Sequence, residues 1–432
     1  MSRKLVVCCD GTWNKPKAQT NIHRTFEFLS SQLQDPETDK SDREGWKTAS
    51  GRSPHGGDIC LFYDQGVGTS LRDWLTGGAL GAGLSKNVCE AYHFLSRAYQ
   101  PDSEIYIFGF SRGAYTARSL CGFIAAAGLL EGVDEAEVVR AYLEYYVRST
   151  DEDMADRLDL DGDKVDRLRE GIRGLWDKLR GRPATAGRDL DRIDRHESVK
   201  VRFIGVYDTV GSLGIPTPKL SRLTSPVVQF HNQTLGRLIE HAVHALAADE
   251  RRGPYRPTIW SLPKDAGGLA PGQTCLQVWF PGVHSDVGGG YTDPSPNDRD
   301  KGIGDITWHF MMTRAAERGL VLDRSREIPL PLSRQPARQH ESLDSFWKLV
   351  SHDFDEPEAL DRAIGEAARQ RRRHDPAIAA GREMLHSSLV ERIGKKVSVL
   401  SKDDKDGVRI EERTYDPANL KGIELPLFRE QG

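Results

Sequence analysis

Apolar residues recur along the chain in short runs separated by longer stretches of mixed polarity. Lys4–Cys9 (KLVVCC), Ile59–Tyr63 (ICLFY), Ile105–Phe110 (IYIFGF), Val199–Tyr207 (VKVRFIGVY) and Leu276–Phe280 (LQVWF) are rich in β-branched and aromatic residues. Such nearly continuous runs predict strands buried on both faces, as in the middle of a parallel sheet. Between them the spacing becomes helical. Leu84, Val88, Ala91, Tyr92 and Leu95 predict one amphipathic helix, and Leu235, Leu238, Ile239, Ala242 and Leu246 predict another. Ala114–Ala127, rich in alanine and free of proline, predicts a third. Strands alternating with helices place the chain in the α/β class, with a doubly wound, mostly parallel sheet covered on both faces.

Two segments break this pattern. Residues 131–198 are dense in Asp, Glu and Arg and read as a charged helical insertion, at the place where lids occur in such folds. Residues 326–432 read as a C-terminal extension with a proline-rich edge (PLPLSRQPAR) and a short basic run, Arg371–His374, that suits a solvated helix face. Residues 1–130 and 199–325 then form one catalytic domain. A calcium loop at Asp159–Asp166 lacks the required register and its terminal glutamate. A formal net charge of −4 gives no footprint for nucleic acid. The six cysteines are scattered without a C-x-x-C, as expected of free thiols in a reducing compartment. The apolar stretch before Asp10 is too short for a secretory signal, and Leu120–Leu130 is too short to span a bilayer. Synthesis in the cytoplasm is therefore expected, with any export left to a dedicated machine.

The candidate chemistry starts at Gly109-Phe-Ser-Arg-Gly113, which matches G-x-S-x-G between a predicted strand and a predicted helix. In that context the pentapeptide is a nucleophile elbow, with Ser111 at a turn whose flanking Gly109 and Gly113 leave room for no Cβ. The alternative is an ordinary βα turn with Ser111 as a helix N-cap. A nucleophilic serine needs a base, and the base needs an orienting carboxylate. Asp208 follows the run ending at Tyr207, and His284 follows the run ending at Phe280, in the order Ser, Asp, His that this class of fold uses. His231, His241 and His244 compete with His284, and His241 and His244 on one helix face would also suit a metal pair. The oxyanion donors expected are the N–H of Arg112 and that of Gly11 or Thr12, in the loop after the first strand. Asp10, Asp64 and Asp286 are expected to shape these loops through hydrogen bonds to the backbone.

A different enzyme class remains open. Asp10, Asp64, Asp208, His284 and Asp286 together would suit a divalent metal and phosphoester hydrolysis. A binding module on the same fold, with a vestigial site, is the non-enzyme alternative. The glycines of Gly77–Leu84 follow no strand and lack the order of a dinucleotide loop, so a nucleotide is not expected.

The motifs CCDGTWN, DQGVGT, FGFSRGAYTARSL, IGVYDTVGSLG, HALAADERR and WFPGVHSDVGGGY occur in this order between residues 3 and 325. Together they resemble a bacterial and fungal family first catalogued as a domain of unknown function. That family includes the GxSxG-type lipase effectors delivered by type VI secretion systems. The resemblance implies an α/β-hydrolase-like fold and phospholipase activity, with Ser111, Asp208 and His284 at the positions of nucleophile, acid and base. Those effectors are larger, with added regions that engage membrane, so the resemblance implies hydrolase chemistry more strongly than phospholipid as the substrate. A lipid or small ester substrate and transient contact with a membrane surface are expected, together with a secretion-machinery or immunity partner. No cofactor and no metal are called for, and no nucleic acid is expected as a partner.

Overall fold

Alternate residues of the first strand serve different cores. In the computed structural model, β1 (Lys4–Cys9) sends Leu5, Val7 and Cys9 to one apolar cluster and Val6 and Cys8 to the other. The structure describes residues 2–11, 20–41, 45–53, 56–66, 78–145, 190–210, 234–252, 255, 257–261, 268–291, 302–320, 339–342, 383–402, 408–421 and 425–429. β1 pairs in parallel with β4 (Asp58–Asp64) on one side and β5 (Glu104–Phe110) on the other. From β5 the parallel pairing continues through β8 (Val201–Tyr207), β9 (His241–Ala247) and β10 (Thr274–Phe280). β12 (Glu383–His386) and β15 (Leu427–Phe428) extend this edge, also in parallel. At the other edge β3 (Trp46–Arg52) and β2 (Gln34–Ser41) pair antiparallel, giving a sheet of ten strands among the described residues. The sheet therefore passes beyond residue 325 into the segment that composition alone sets apart.

Helices cover both faces, as the α/β reading requires. α2 (Gly78–Ala98) and α3 (Arg112–Ala127) fill one core with Val88, Tyr92, Leu120 and Phe123. α1 (Asn21–Ser30) and α5 (Ile303–Glu317) fill the other with Ile22, Phe26, Trp308 and Phe310. Between them in the chain lies α4 (His284–Val287), a single short turn. A two-stranded ribbon joins β6 (Leu129–Leu130) to β7 (Arg195–His196). A separate three-stranded sheet is built from β11 (Gln339–His340), β13 (Lys396–Lys402) and β14 (Val408–Thr414). Among the described residues no helix is long and apolar enough to cross a membrane.

One predicted element is overturned. The segment expected to be a helix through Leu235 and Leu246 is β9 over its second half, preceded by isolated bridges at Thr234 and Ile239. All seven residues of β9 are buried, so its strand character leaves no polar alternation, and its alanines mimic helical composition. The glycine-rich segment at 77–84 enters α2 at Gly78. Asp159–Asp166 and most of the 131–198 insertion lie outside the described residues.

The chain turns from β1 toward β4 and from β5 toward β8, in opposite directions along the sheet. In doubly wound sheets the crevice for a ligand opens at such a reversal, outside the carboxyl ends of the strands. Ser111 stands at that point.

Candidate active site

Ser111 joins β5 to α3 with φ 57° and ψ −120°, a conformation costly for any residue bearing a Cβ. Its side chain makes no cap hydrogen bond to the helix it precedes. The turn closes only because its flanks are glycine. A Cβ on Gly109 would lie 2.6 Å from Ala114 Cα, and one on Gly113 would lie 2.1 Å from the carbonyl oxygen of Cys9.

Asp208 follows β8 directly and is fully buried. Its Oδ1 accepts from the N–H of Ala247 (3.0 Å), fixing the carboxylate against the end of β9. Its Oδ2 lies 2.6 Å from His284 Nδ1, and His284 Nε2 lies 2.8 Å from Ser111 Oγ. An ionised carboxylate only accepts, so Nδ1 carries the proton and Nε2 is left to accept from the serine hydroxyl. Phe110 and Tyr255 enclose the imidazole, with ring centroids 4.7 and 4.9 Å away. Burial lowers the pKa of His284, against the upward pull of Asp208. This chain of bonds allows a serine oxygen to attack while its proton passes to imidazole.

The surroundings differ in part from expectation. Arg112 is the first residue of α3, a position whose N–H has no acceptor within the helix. The Gly11 N–H donates to Asp10 Oδ1 (2.7 Å). Thr12 lies outside the described residues. Asp10 Oδ2 accepts from Thr20 Oγ1 (2.6 Å) and the Tyr63 hydroxyl (2.8 Å). Asp64 Oδ1 accepts from the N–H of Gly66 (2.8 Å), and burial pushes its carboxyl up to about 7. Asp286 Oδ2 accepts from the N–H of Val283 (3.0 Å).

The five residues considered for a metal thus divide among separate hydrogen-bonded sets. Among the described residues no three His, Cys, Asp or Glu side chains are grouped to hold a metal. His241 and His244, three apart on a strand, point to opposite faces and cannot share a metal ion. His241 Nδ1 meets Thr274 Oγ1 (2.9 Å), and His244 Nε2 accepts from the N–H of Thr209 (3.0 Å). His231 lies outside the described residues.

Residue-by-residue reading missed Glu250, Arg252 and Tyr255. Glu250 is buried, accepts from the N–H of His284 (3.1 Å) and is paired to Arg252 (2.8 Å). The Arg252 guanidinium lies 3.7 Å from the centroid of Tyr255. The available signal was Asp249-Glu250 soon after a strand end, the same placement as Asp208, and the helical reading of that segment hid it.

Fold and site together define an α/β-hydrolase-like domain. Residues 3–314 match the family described as "T6SS, Phospholipase effector Tle1-like, catalytic domain", and the chain belongs to that family. It is 27% identical over 273 residues to the uncharacterized protein YEL023C of Saccharomyces cerevisiae, a match covering 60% of this chain and 34% of the yeast protein. Two solved structures are similar at a TM-score of 0.34 each. One is the Tle1 effector bound to the VgrG spike of the type 6 secretion system, 16% identical, covering 68% of this chain and 52% of that one. The other is an uncharacterized protein from Pseudomonas aeruginosa, 15% identical, covering 88% of this chain and 59% of that one. The chain thus spans about a third of the yeast protein and little more than half of either solved chain.

Proposed function

We propose that the protein is a serine hydrolase that cleaves carboxylic ester bonds of phospholipids through an acyl-enzyme. The observation that carries this reading is the hydrogen-bonded chain from Ser111 through His284 to Asp208, built on a strained turn. His284 Nε2 takes the proton of Ser111 as Oγ attacks the ester carbonyl, and Asp208 stabilises the imidazolium. The N–H of Arg112 faces the developing oxyanion. His284 then protonates the departing alcohol, and water deprotonated by the same imidazole releases the fatty acid. Membership in a family of type VI effectors supports export by such a machine and a membrane lipid as the target.

Arg112 supports a phosphate-bearing substrate. No described residue pairs with its guanidinium, which burial lowers only to about 10, so it stays charged at neutral pH. A guanidinium next in the chain to the nucleophile can match a phosphate with two parallel hydrogen bonds.

The test is hydrolysis of phosphatidylethanolamine and phosphatidylglycerol vesicles against p-nitrophenyl esters of graded length, with and without chelator. A fluorophosphonate label is expected on Ser111, located by peptide mass spectrometry. The ratio of phospholipid to p-nitrophenyl ester hydrolysis is expected to fall in Arg112→Gln. Chelator-sensitive turnover without labelling would move the chemistry to a metal.

The pH profile provides a separate check. His284 must be neutral to accept a proton, so activity is lost as pH falls through its pKa. Because burial lowers that pKa, the acid limb of kcat/KM is expected below 6.5, the ordinary value for histidine. A limb above 6.5 would assign the base elsewhere.

A further inference from the structure

Three successive backbone N–H groups of the histidine loop are each held by a different carboxylate. Gly282 donates to Asp249 Oδ2 (2.5 Å), Val283 to Asp286 Oδ2 (3.0 Å) and His284 to Glu250 Oε2 (3.1 Å). The direction in which His284 presents its ring therefore depends on where these carboxylates sit. Glu250 is held by Arg252, close by in the chain. The other two are held from far along it.

Asp286 Oδ1 accepts from His340 Nδ1 (2.6 Å), and Asp286 Oδ2 accepts from the N–H of His340 (3.0 Å). The carboxylate can only accept, which puts the proton on His340 Nδ1. The His340 ring stacks on Tyr291, centroids 3.7 Å apart at 15°, which fixes its plane. Both oxygens of Asp249 accept from the hydroxyl of Tyr415 (2.9 and 3.0 Å). Asn419 Nδ2 donates to the carbonyl of Ala248 (2.9 Å), anchoring the adjacent backbone. Arg392 lies over the Tyr415 ring at 5.5 Å. His340 ends β11 and Tyr415 follows β14, so the small three-stranded sheet delivers both side chains. Both lie beyond residue 314, where the family match stops.

We infer that His340 and Tyr415 are positioning residues, through which the C-terminal sheet sets the orientation of His284 toward Ser111 by way of Asp286 and Asp249. This rests on His284 acting as the base. Burial pushes the Asp249 carboxyl up to about 7, while the Gly282 N–H and the Tyr415 hydroxyl pull it down. Without the hydroxyl, that oxygen pair keeps one donor fewer and the loop loses its grip on a buried carboxylate. Misplacing a catalytic group by a fraction of an ångström lowers turnover without changing what the site binds.

The experiment compares His340→Phe, His340→Asn and Tyr415→Phe in the full chain. Phenylalanine keeps the stack on Tyr291 and removes the donor, whereas asparagine can place an N–H where Nδ1 lies. Expected is a kcat about tenfold lower in His340→Phe and Tyr415→Phe with KM within about twofold, and recovery of most of it in His340→Asn. Proton NMR follows the hydrogen between His284 and Asp208 in the same proteins, independently of turnover. Its far-downfield resonance is expected to shift or broaden in the two phenylalanine variants and to return in His340→Asn. An unchanged resonance in folded variants overturns the inference, as does equal impairment of His340→Phe and His340→Asn. Loss of turnover with an unchanged resonance also overturns it. If Ser111→Ala retains activity, the mechanism fails, while the NMR comparison still decides whether the sheet orients His284.

Discussion

Ser111→Ala is expected to lower kcat/KM for esters by about 10⁴- to 10⁶-fold, the range seen when a serine nucleophile is removed. Ser111→Gly should be as inactive but more stable than the parent by about 1–2 kcal/mol. The two substitutions separate chemistry from backbone conformation. At φ 57° and ψ −120° a Cβ is crowded whether the side chain is serine or alanine. Glycine adopts that conformation without the steric penalty, although it adds chain entropy to the unfolded state. The serine is therefore expected to be held in place at the expense of folding free energy. Activity on p-nitrophenyl esters and thermal unfolding of the three proteins would read both effects. An alanine variant within tenfold of the parent sinks the serine mechanism. A glycine variant less stable than alanine would mean that the elbow is not strained.

Much of the fold can be read from the apolar runs, because strands inside a parallel sheet are buried on both faces and leave long uniform signals. The same burial concealed β9. Its sequence HAVHALA carries small residues and two histidines, with nothing in its polarity to separate strand from helix. Edge strands were hidden for the opposite reason. β2 (QDPETDKS) is polar and contains Pro36, as suits a strand that must not recruit another chain. β12 and β15 are too short to leave a pattern. The placement of Ser111, Asp208 and His284 was legible because a parallel sheet carries the ends of its strands to one edge, whatever their separation in sequence. The hydrogen bond from the Gly11 N–H to Asp10 Oδ1 was not legible, because it is a local contact between adjacent residues that strand-end logic does not see. His340 and Tyr415 could not be foreseen at all. Nothing in a chain records which distant segment folds back onto a loop.

Gly113→Ala is expected to destabilise the protein by about 3–5 kcal/mol and to lower kcat about 100-fold in the molecules that still fold. The added Cβ would lie 2.1 Å from the carbonyl oxygen of Cys9 and 2.5 Å from that of Asp10. Both oxygens belong to the backbone at the end of β1, which is paired on each side and cannot rotate away. Relief requires the start of α3 to retreat from β1 by about 1 Å, since a methyl carbon and a carbonyl oxygen need more than 3 Å. That movement carries Ser111 Oγ and the Arg112 N–H away from His284 together, so stability and turnover should fall in step. Gly236→Ala is the control, because its Cβ would meet nothing within 4 Å and its φ is unexceptional. Urea unfolding of the two variants reads the difference. If Gly113→Ala unfolds at the same urea concentration as Gly236→Ala, the elbow does not pack against β1 as described. The close approach of helix to strand would then not be what presents the serine.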